Sequence, residues 1–301
     1  MDTTLLASML REIPDCAESL LLPTNQDEEA FLLAALEYAR CLAHKVSRKV
    51  IPGQQAVSAQ AKQDGSLLTS FDLEAETAIC QMIAASFPTH DWLSEESNQT
   101  FRGSEWTWVV DPIDGTTNFA QGFPVWGVLI GLLHKGFPVL GVMDFPLLGE
   151  QYYAARGLGA WVNGKPIQVL SPEQGIERPS SQLFACCSRT LKLGAWPLTA
   201  KARVVGTTAY NLALVSRGVC VGSLDQKAHV WDIAAAVPII EEAGGRFKTN
   251  LSVPLFPLRP GVNYRNVNFA VLAARSQAEL SLYEQQLRGF FIPQPMAEPL
   301  A

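Results

Sequence analysis

The sequence predicts a mixed α/β (α+β) protein whose helices and sheets are stacked in layers. Two long amphipathic helical patterns come first, over residues 31–50 and 73–87. Four β-rich runs separated by turns follow between residues 125 and 162, and short strand and helix patterns alternate beyond residue 183. A meander flanked by helical regions and followed by alternating elements is typical of packed layers.

The N-terminal region is predicted to be helical. Residues 1–25 carry apolar side chains at roughly helical spacing up to Pro14, which predicts a short amphipathic extension of unassigned role. The first long helix is expected to end before Pro52, and acidic residues in its first turn suit the helix dipole. Asp72 is expected to be the N-cap of the second helix.

The remaining elements are short. The predicted meander consists of strands over 125–133, 138–145, 151–155 and 160–162. Further strands are predicted over 183–187, 202–205, 219–223 and 269–273, and helices over 208–217, 232–243 and 277–287. Pro238 is expected to bend its helix because proline lacks an amide hydrogen. The proline-rich tail after Phe291 is expected to fray.

Composition excludes several classes of protein. A chain of 301 residues, 48% hydrophobic and 17% charged, is that of an ordinary globular protein with a sizeable core. The net charge of −6 and the lack of a Lys/Arg cluster argue against nucleic-acid binding. Residues 1–25 lack a signal-peptide pattern and no apolar run reaches about 18 residues, so we expect a cytoplasmic protein without membrane association. The six cysteines show no C-x-x-C pair and are expected to be reduced.

The segment 111–117, Asp-Pro-Ile-Asp-Gly-Thr-Thr, places two carboxylates three residues apart after the apolar run 106–110. Because proline removes a backbone donor, the chain is expected to leave the strand at Asp111 and to bring Asp114 back towards it. Gly115 and Thr116 offer backbone N–H groups and a hydroxyl where an anion could bind. Carboxylates without histidine or thiolate partners favour Mg²⁺ or Mn²⁺ over Zn²⁺. Taken alone, the segment also fits an Asp-rich surface turn.

Two further acidic stations accompany this segment. Glu95 and Glu96 follow an apolar pair, and Asp232 opens an apolar run that closes with Glu-Glu-Ala-Gly-Gly at 241–245. Taken singly, the glutamates fit a solvated loop and Asp232 fits a helix N-terminal acid. Together and in this order, the three stations resemble the inositol monophosphatase family, a branch of the lithium-sensitive, Mg²⁺-dependent phosphatases, from about Phe31 to about Leu287.

The resemblance implies a fold and an assembly. The fold would be the layered αβαβα sugar-phosphatase fold, in a domain over residues 26–290 with an α+β half at 26–170 and an α/β half at 171–290. Residues 1–25 would be an N-terminal extension and residues 291–301 a tail. The family pattern further implies a homodimer that binds two or three Mg²⁺ ions, with Mn²⁺ as a substitute.

The resemblance also implies a set of metal ligands. Glu95, Asp111 and the carbonyl of Ile113 would bind one Mg²⁺, and Asp111, Asp114 and Asp232 would bind a second. Asp111 would therefore bridge the two ions. Glu96 would not bind the metal ions directly and would support the residues that do. His229 is left outside the ligand set because the site is rich in oxygen.

The same resemblance implies catalytic and substrate-binding roles. The catalytic residues would be Glu95, Asp111 and Thr116, whose hydroxyl would hold the nucleophilic water. The substrate-binding residues would be Gly115, Thr116, Gly206, Thr207, Asp225 and Asp232. Asp225 stands where a glutamate is usual, and Cys187 stands where a serine is expected. The loop 62–72 resembles the family's mobile metal-site loop and would contribute Lys62, Thr69 and Asp72.

The implied function is Mg²⁺-dependent hydrolysis of a small phosphorylated alcohol, and myo-inositol monophosphate is the expected substrate. Segments 62–72 and 232–241 also resemble the histidinol-phosphate phosphatase branch, which makes that activity the alternative. A non-catalytic regulatory binding protein with the same fold is an alternative of another class. The intact acidic stations disfavour it, because a protein without catalysis has no need of all three.

Overall fold

The computed structural model describes residues 28–55, 60–61, 67–169 and 179–296. Residues 1–25 and Lys62 lie outside these ranges, so expectations for them stay predictions. The helices are α1 (Glu28–Val50), α2 (Ser70–Ser86), α3 (Thr116–Ala120), α4 (Ser188–Leu191), α5 (Thr208–Ser216), α6 (Val230–Ala234), α7 (Ala236–Glu242) and α8 (Gln277–Gln286). The strands are β1 (Gln60–Ala61), β2 (Leu67–Leu68), β3 (Asp91–Ser94), β4 (Trp106–Asp114), β5 (Gly127–His134), β6 (Phe137–Phe145), β7 (Glu150–Ala155), β8 (Ala160–Val162), β9 (Lys165–Ile167), β10 (Leu183–Cys186), β11 (Lys201–Arg203), β12 (Gly222–Ala228), β13 (Arg246–Thr249) and β14 (Phe269–Ala274).

Two large sheets organise the described chain. The first has seven strands in the order β3-β4-β5-β6-β7-β8-β9, and all neighbours except β3 and β4 are antiparallel. The predicted antiparallel meander is therefore confirmed. The second sheet has the order β11-β10-β12-β14-β13, in which β10 runs parallel to both its neighbours. Strand β13 was not predicted from the sequence.

The core is divided into three apolar layers. Successive residues of β4 point to opposite faces, so Trp108 packs with α1 and α2 whereas Val109 packs into the space between the sheets. Helices α5, α6 and α7 fill that space. On the far face of the second sheet, Phe184 and Leu272 pack against Leu280 of α8. The order helix, sheet, helix, sheet, helix confirms the predicted αβαβα arrangement.

Helix α2 begins earlier than the sequence indicated. Thr69, not Asp72, is its N-cap. The Thr69 hydroxyl accepts a hydrogen bond from the Asp72 N–H, and the Asp72 carboxylate accepts one from the Thr69 N–H at 2.7 Å. Both side chains take part in this capping box. The sequence pattern therefore indicated a cap at this point and assigned it to Asp72.

The predicted helix over 232–243 is interrupted, as Pro238 suggested. The break falls at Ala235, between α6 and α7. Proline cannot donate the hydrogen bond that would reach the carbonyl of Ala234 four residues earlier, so the helix is weakened one turn before the proline. The break lets the two short helices follow the surface of the first sheet.

Two smaller expectations are wrong. The tail does not fray directly after Phe291, because the Ile292 carbonyl accepts from Asn250 Nδ2 and the Gln294 N–H donates to the Asn250 carbonyl at 2.8 Å. The cysteines are not all reduced, because Cys41 is disulfide-bonded, whereas Cys80, Cys186, Cys187 and Cys220 are free. A disulfide depends on distance in the fold, which the spacing of cysteines along the chain does not show.

Helix α1 has 23 residues, which is long enough to cross a bilayer. Its solvent-facing side is charged, and no helix in the described ranges is apolar enough to span a membrane.

His90 links the end of α2 to the first sheet. Its ring stacks on Phe87 with centroids 4.9 Å apart, and its Nδ1 accepts a hydrogen bond from Trp108 Nε1 at 3.1 Å. Burial lowers the pKa of His90 from 6.5 to about 4. The unfolded chain therefore takes up the proton first as the pH falls.

We expect the stability of the wild type relative to His90→Gln to fall as the pH is lowered from about 6.5 towards 4, because only the wild type loses the contribution of His90. The buried carboxyl groups titrate in both proteins, so the difference between the two free energies of unfolding isolates His90. Urea denaturation of both proteins at several pH values in this window measures the effect. Glutamine can still accept from Trp108, so the comparison isolates the charge. A difference in the free energy of unfolding that stays constant across this pH window would show that His90 does not contribute to the pH dependence.

Candidate active site

One pocket of about 530 Å³ gathers most of the predicted residues. It lies where the ends of β3 and β4 meet α6 and the segment that leads into β14. Its acidic lining residues are Glu95, Glu96, Asp111, Asp114 and Asp232. The three acidic stations, separated in sequence, therefore face a single space.

A bulge in β4 places both aspartates on the same side of the strand. Asp111 pairs with Leu129 of β5 and Asp114 pairs with Gly127, so β4 contains one extra residue between them. Residues three apart on a regular strand point to opposite faces, and the extra residue restores a common face. The strand does not end at Asp111, as the sequence suggested, because Pro112 lies within the bulge.

The turn after β4 depends on Gly115. Its φ of +88° is left-handed, and a Cβ atom there would lie 2.6 Å from Cγ2 of Thr207. Thr116 then begins α3, and its hydroxyl lies 3.1 Å from the Ile113 carbonyl and 3.3 Å from Asp72 Oδ1. The backbone thus directs the N–H groups of the first helical residues and the Thr116 hydroxyl to the region of the carboxylates.

The glutamates are placed by pairing between strands. Because β3 runs parallel to β4, Glu95 follows the strand end, and its N–H donates to the Val110 carbonyl at 3.2 Å. The N–H of Glu96 donates to Oε2 of Glu76 on α2 at 2.7 Å. Both glutamate side chains are half-buried and line the pocket.

Asp232 reaches the pocket from the middle helical layer. Its Oδ2 accepts a hydrogen bond from the His229 N–H at 2.9 Å, which fixes the first turn of α6. The His229 ring also lines the pocket and stacks on Trp231 with centroids 4.9 Å apart. This packing places His229 beside the acidic cluster. His229 was not assigned as a metal ligand from the sequence.

Burial and mutual repulsion make this cluster electrostatically costly. Burial, followed by the charges of Glu95, Asp114, Asp232 and Asp72, raises the pKa of Asp111 well above its usual range. Burial is also the main cause that raises the pKa of Asp114 to about 8, against hydrogen bonds from Ala209 and Thr207. The pKa of Asp232 is raised by burial and by Asp114 and Glu95. Bound cations would relieve this cost.

The donor set fits a hard divalent cation. It consists of carboxylate oxygens together with the Ile113 carbonyl, which is the chemistry that Mg²⁺ prefers. In the described parts of the chain, no three His, Cys, Asp or Glu side chains stand close enough to form a ready-made metal site. The carboxylates share one pocket, and binding would draw them together against their repulsion.

Two of the predicted substrate-binding residues join α5 to this site. Gly206 lines the pocket, and its φ of +91° brings it against the side chain of Asn118. Thr207 does not line the pocket. It is the N-cap of α5 and hydrogen-bonds Asp114, so its side chain holds a carboxylate in position. Asn118, which sequence reasoning missed, donates to the carbonyls of Val125 and Val205 and ties the two segments together.

Asp225 and Cys187 do not line the pocket either. The Asp225 carboxylate is 1% exposed, and Asn211 Nδ2 donates to both of its oxygens at 3.0 and 3.1 Å. Burial raises the pKa of Asp225 to about 7. The Cys187 thiol accepts from the Gln226 N–H at 3.3 Å. Contact of either residue with a substrate stays a prediction.

The structure adds a basic wall that the sequence did not indicate. Arg189, Lys227 and Arg265 line the pocket with Asn266 and Asn268. They come from α4, β12 and the segment before β14, which are distant in sequence and carry no recognisable motif. Only the topology of the second sheet brings them together.

Comparison with known proteins finds similar sequences and similar folds. A model of the inositol monophosphatase family matches residues 27–280. A histidinol-phosphatase of Chlorobaculum parvum is 34% identical over 220 residues, 70% of this chain and 83% of its own. Inositol monophosphatase 1 of Homo sapiens is 34% identical over 193 residues, 60% of this chain and 69% of its own. An inositol monophosphatase structure from Thermotoga maritima aligns with a TM-score of 0.71 and 24% identity, covering 85% of this chain and 99% of its own.

Proposed function

Since the chain belongs to the inositol monophosphatase family of phosphatases, we propose that it hydrolyses a small phosphorylated alcohol at the pocket described above, with Mg²⁺ as cofactor. The observation that carries this proposal is the convergence of Glu95, Asp111, Asp114 and Asp232 on one pocket, from three separate parts of the sequence. Repelling carboxylates that are mostly buried have a clear chemical use as cation ligands.

The proposed ligands are those expected from the sequence. Glu95, Asp111 and the Ile113 carbonyl would hold one ion, and Asp111, Asp114 and Asp232 a second. Bound Mg²⁺ would supply Lewis acidity at the attacking water and at the leaving oxygen. The bulge in β4 serves this arrangement, because it lets Asp111 and Asp114 act from one face of the strand.

Other groups would position the reactants. The Thr116 hydroxyl can donate to Asp72 or to the Ile113 carbonyl, which leaves its oxygen able to accept a hydrogen bond from the attacking water. The N–H groups of Gly115 and Thr116, at the start of α3, would donate to a phosphate oxygen. These residues orient the water and the phosphate for direct attack, so no covalent phosphoenzyme is needed.

Two substrates are candidates. myo-Inositol monophosphate is the first, in line with the family. Histidinol phosphate is the second, favoured by the similarity to a protein named histidinol-phosphatase. We also propose that the protein is a homodimer and is inhibited by Li⁺, in keeping with the same family, and size-exclusion chromatography with light scattering would test the first of these.

The test is phosphate release from inositol 1-phosphate, histidinol phosphate and glycerol 2-phosphate, with Mg²⁺ or with excess chelator. We expect hydrolysis that needs Mg²⁺ and is inhibited by Li⁺. Full activity in excess chelator would contradict the metal-dependent mechanism. If kcat/KM for histidinol phosphate exceeds that for inositol 1-phosphate more than about tenfold, the second candidate replaces the first.

A further inference from the structure

Asp114, one of the proposed metal ligands, is held by the first turn of α5. Its Oδ2 accepts a hydrogen bond from the Ala209 N–H at 3.3 Å, and the Thr207 side chain donates a second hydrogen bond to it. The Thr207 hydroxyl also accepts from the Tyr210 N–H at 3.0 Å, since a hydroxyl can donate and accept at once. The position of the Asp114 carboxylate therefore depends on where this turn of α5 lies.

The side chain of Tyr210 attaches the same turn to the first sheet. Its hydroxyl donates to Oε2 of Glu150 on β7 at 3.0 Å. Its ring packs edge-on against Phe145 of β6, with ring centroids 4.8 Å apart. Helix α5 packs against β12 of the second sheet and against α7. Tyr210 thus joins a helix of the middle layer to the sheet that carries Asp114.

The Phe145 ring lies against the strand partner of Asp114. Gly127 of β5 pairs with Asp114, and a Cβ atom on Gly127 would lie 2.7 Å from Cδ1 of Phe145. Phe145 is fully buried and pairs with Glu150 across β6 and β7. Because Gly127 leaves room for the ring, a continuous row of contacts runs from Asp114 to Tyr210 through the sheet as well as through α5.

Glu150 is a fixed acceptor for Tyr210. The Tyr152 hydroxyl donates to the same Oε2 at 2.8 Å. Arg217, the C-cap of α5, donates from Nη1 to Oε1 of Glu150 and to the Tyr152 hydroxyl. Glu150 therefore ties both ends of α5 to β7. Its place does not depend on Tyr210 alone, so loss of the Tyr210 hydroxyl would leave the rest of the network intact.

These side chains act at a distance from the substrate. Glu150, Tyr152, Tyr210 and Arg217 all belong to the described ranges, and all four lie outside the lining of the pocket. An effect of this network on metal binding must therefore pass through the groups that hold Asp114.

We propose that Tyr210 and Glu150 are positioning residues, whose hydrogen bond fixes the first turn of α5 and thereby holds Asp114 ready to bind a divalent cation. This inference rests on the proposed function, in which Asp114 is a ligand of one Mg²⁺. A ligand that is already oriented loses less conformational freedom when the ion binds, so its affinity is higher. Loss of the hydrogen bond should weaken metal binding although every ligand remains.

The test is Tyr210→Phe, which removes the hydroxyl and keeps the ring against Phe145. Without substrate, we expect the dissociation constant of one bound Mn²⁺ to rise about three- to tenfold, because a residue that supports a ligand directly is typically worth 10- to 100-fold and Tyr210 acts one contact further away. Electron paramagnetic resonance of free Mn²⁺ measures this. The Mg²⁺ concentration for half-maximal hydrolysis of inositol 1-phosphate should rise by a similar factor, while kcat at saturating Mg²⁺ stays within about twofold.

Tyr38→Phe is the matched control. Tyr38 is a buried tyrosine of α1 whose hydroxyl accepts a hydrogen bond from Ser86 of α2 at 3.1 Å, outside the lining of the pocket. Its variant loses one hydrogen bond of the same kind and should keep the wild-type affinity for Mn²⁺. A double-mutant cycle identifies the partner: once Glu150→Ala has removed the acceptor, adding Tyr210→Phe should weaken Mn²⁺ binding no further.

The outcomes separate this inference from the proposed function. Unchanged Mn²⁺ affinity in Tyr210→Phe, with stability lowered as in Tyr38→Phe, would show a structural hydrogen bond only and overturn the inference. A loss confined to kcat, or independent losses in the double-mutant cycle, would also overturn it. In each of these cases the phosphatase proposal stands. A wild type that binds no Mn²⁺ and hydrolyses no phosphate monoester with Mg²⁺ would instead contradict the proposed function.

Discussion

In Asp114→Asn we expect phosphatase kcat/KM to fall by at least about 100-fold while the protein stays folded. Loss of residues that merely support metal ligands typically costs 10- to 100-fold in activity or affinity, so loss of a ligand should exceed that. Asparagine matches aspartate in size, and burial raises the pKa of Asp114 to about 8, so the ionised carboxylate costs stability without a cation. The melting temperature in chelator should therefore be no lower than that of the wild type.

The control is Asp144→Asn. Asp144 is also buried on a strand of the same sheet, but its carboxylate accepts hydrogen bonds from Ser47 of α1 and from Gln151 of β7, and it does not line the pocket. Its variant should keep wild-type kcat/KM. MgCl₂ should raise the melting temperature of the wild type and of Asp144→Asn more than that of Asp114→Asn. A folded Asp114→Asn protein with more than half the wild-type activity would remove Asp114 from the site.

The acidic site was predictable because its signals are local. The heptapeptide at 111–117 combines acids, proline and glycine in a few residues, and the structure gathers Asp111, Asp114 and Asp232 in one pocket. The bulge that aligns Asp111 with Asp114 was not predictable. The bulge exists because Asp111 pairs with Leu129 of β5 and Asp114 pairs with Gly127. This pairing register is set by the packing of the whole sheet and is not visible in the sequence of β4.

Features that depend on long-range packing were missed. Asp225 is recognisable as an acid near the third station, but its pairing with Asn211 of α5 depends on how that helix packs against β12. The basic wall of Arg189 and Arg265 combines elements 76 positions apart, and neither arginine lies in a motif. Helix and strand types were predicted better than their limits, since periodicity defines a face and capping partners such as Thr69 define the ends.

The Gly141 position should be among the most sensitive in the core. Gly141 of β6 pairs with Gly131 of β5, and the junction of α6 and α7 lies directly on these two residues. A Cβ atom on Gly141 would lie 1.8 Å from the carbonyl oxygen of Ala235 and 2.6 Å from its carbonyl carbon. These are backbone atoms, which cannot rotate away as the end of a side chain can. The helix junction at Ala235 can therefore lie this close to the sheet only because Gly131 and Gly141 have no side chains.

We expect Gly141→Ala to lower the free energy of unfolding by about 3 kcal/mol or more, at the upper end of the usual cost of overpacking. Because α6 carries Asp232, displacement of the junction should also reduce activity in whatever protein still folds. Gly131→Ala should cost less, since its Cβ atom would lie 3.1 Å from the nearest backbone atoms. Gly289→Ala, where the new atom meets nothing within 4 Å, should change stability by less than about 0.5 kcal/mol. Urea denaturation of the three variants measures this order, and a Gly141→Ala protein as stable as Gly289→Ala would show that the helix junction can move away from the sheet at little cost.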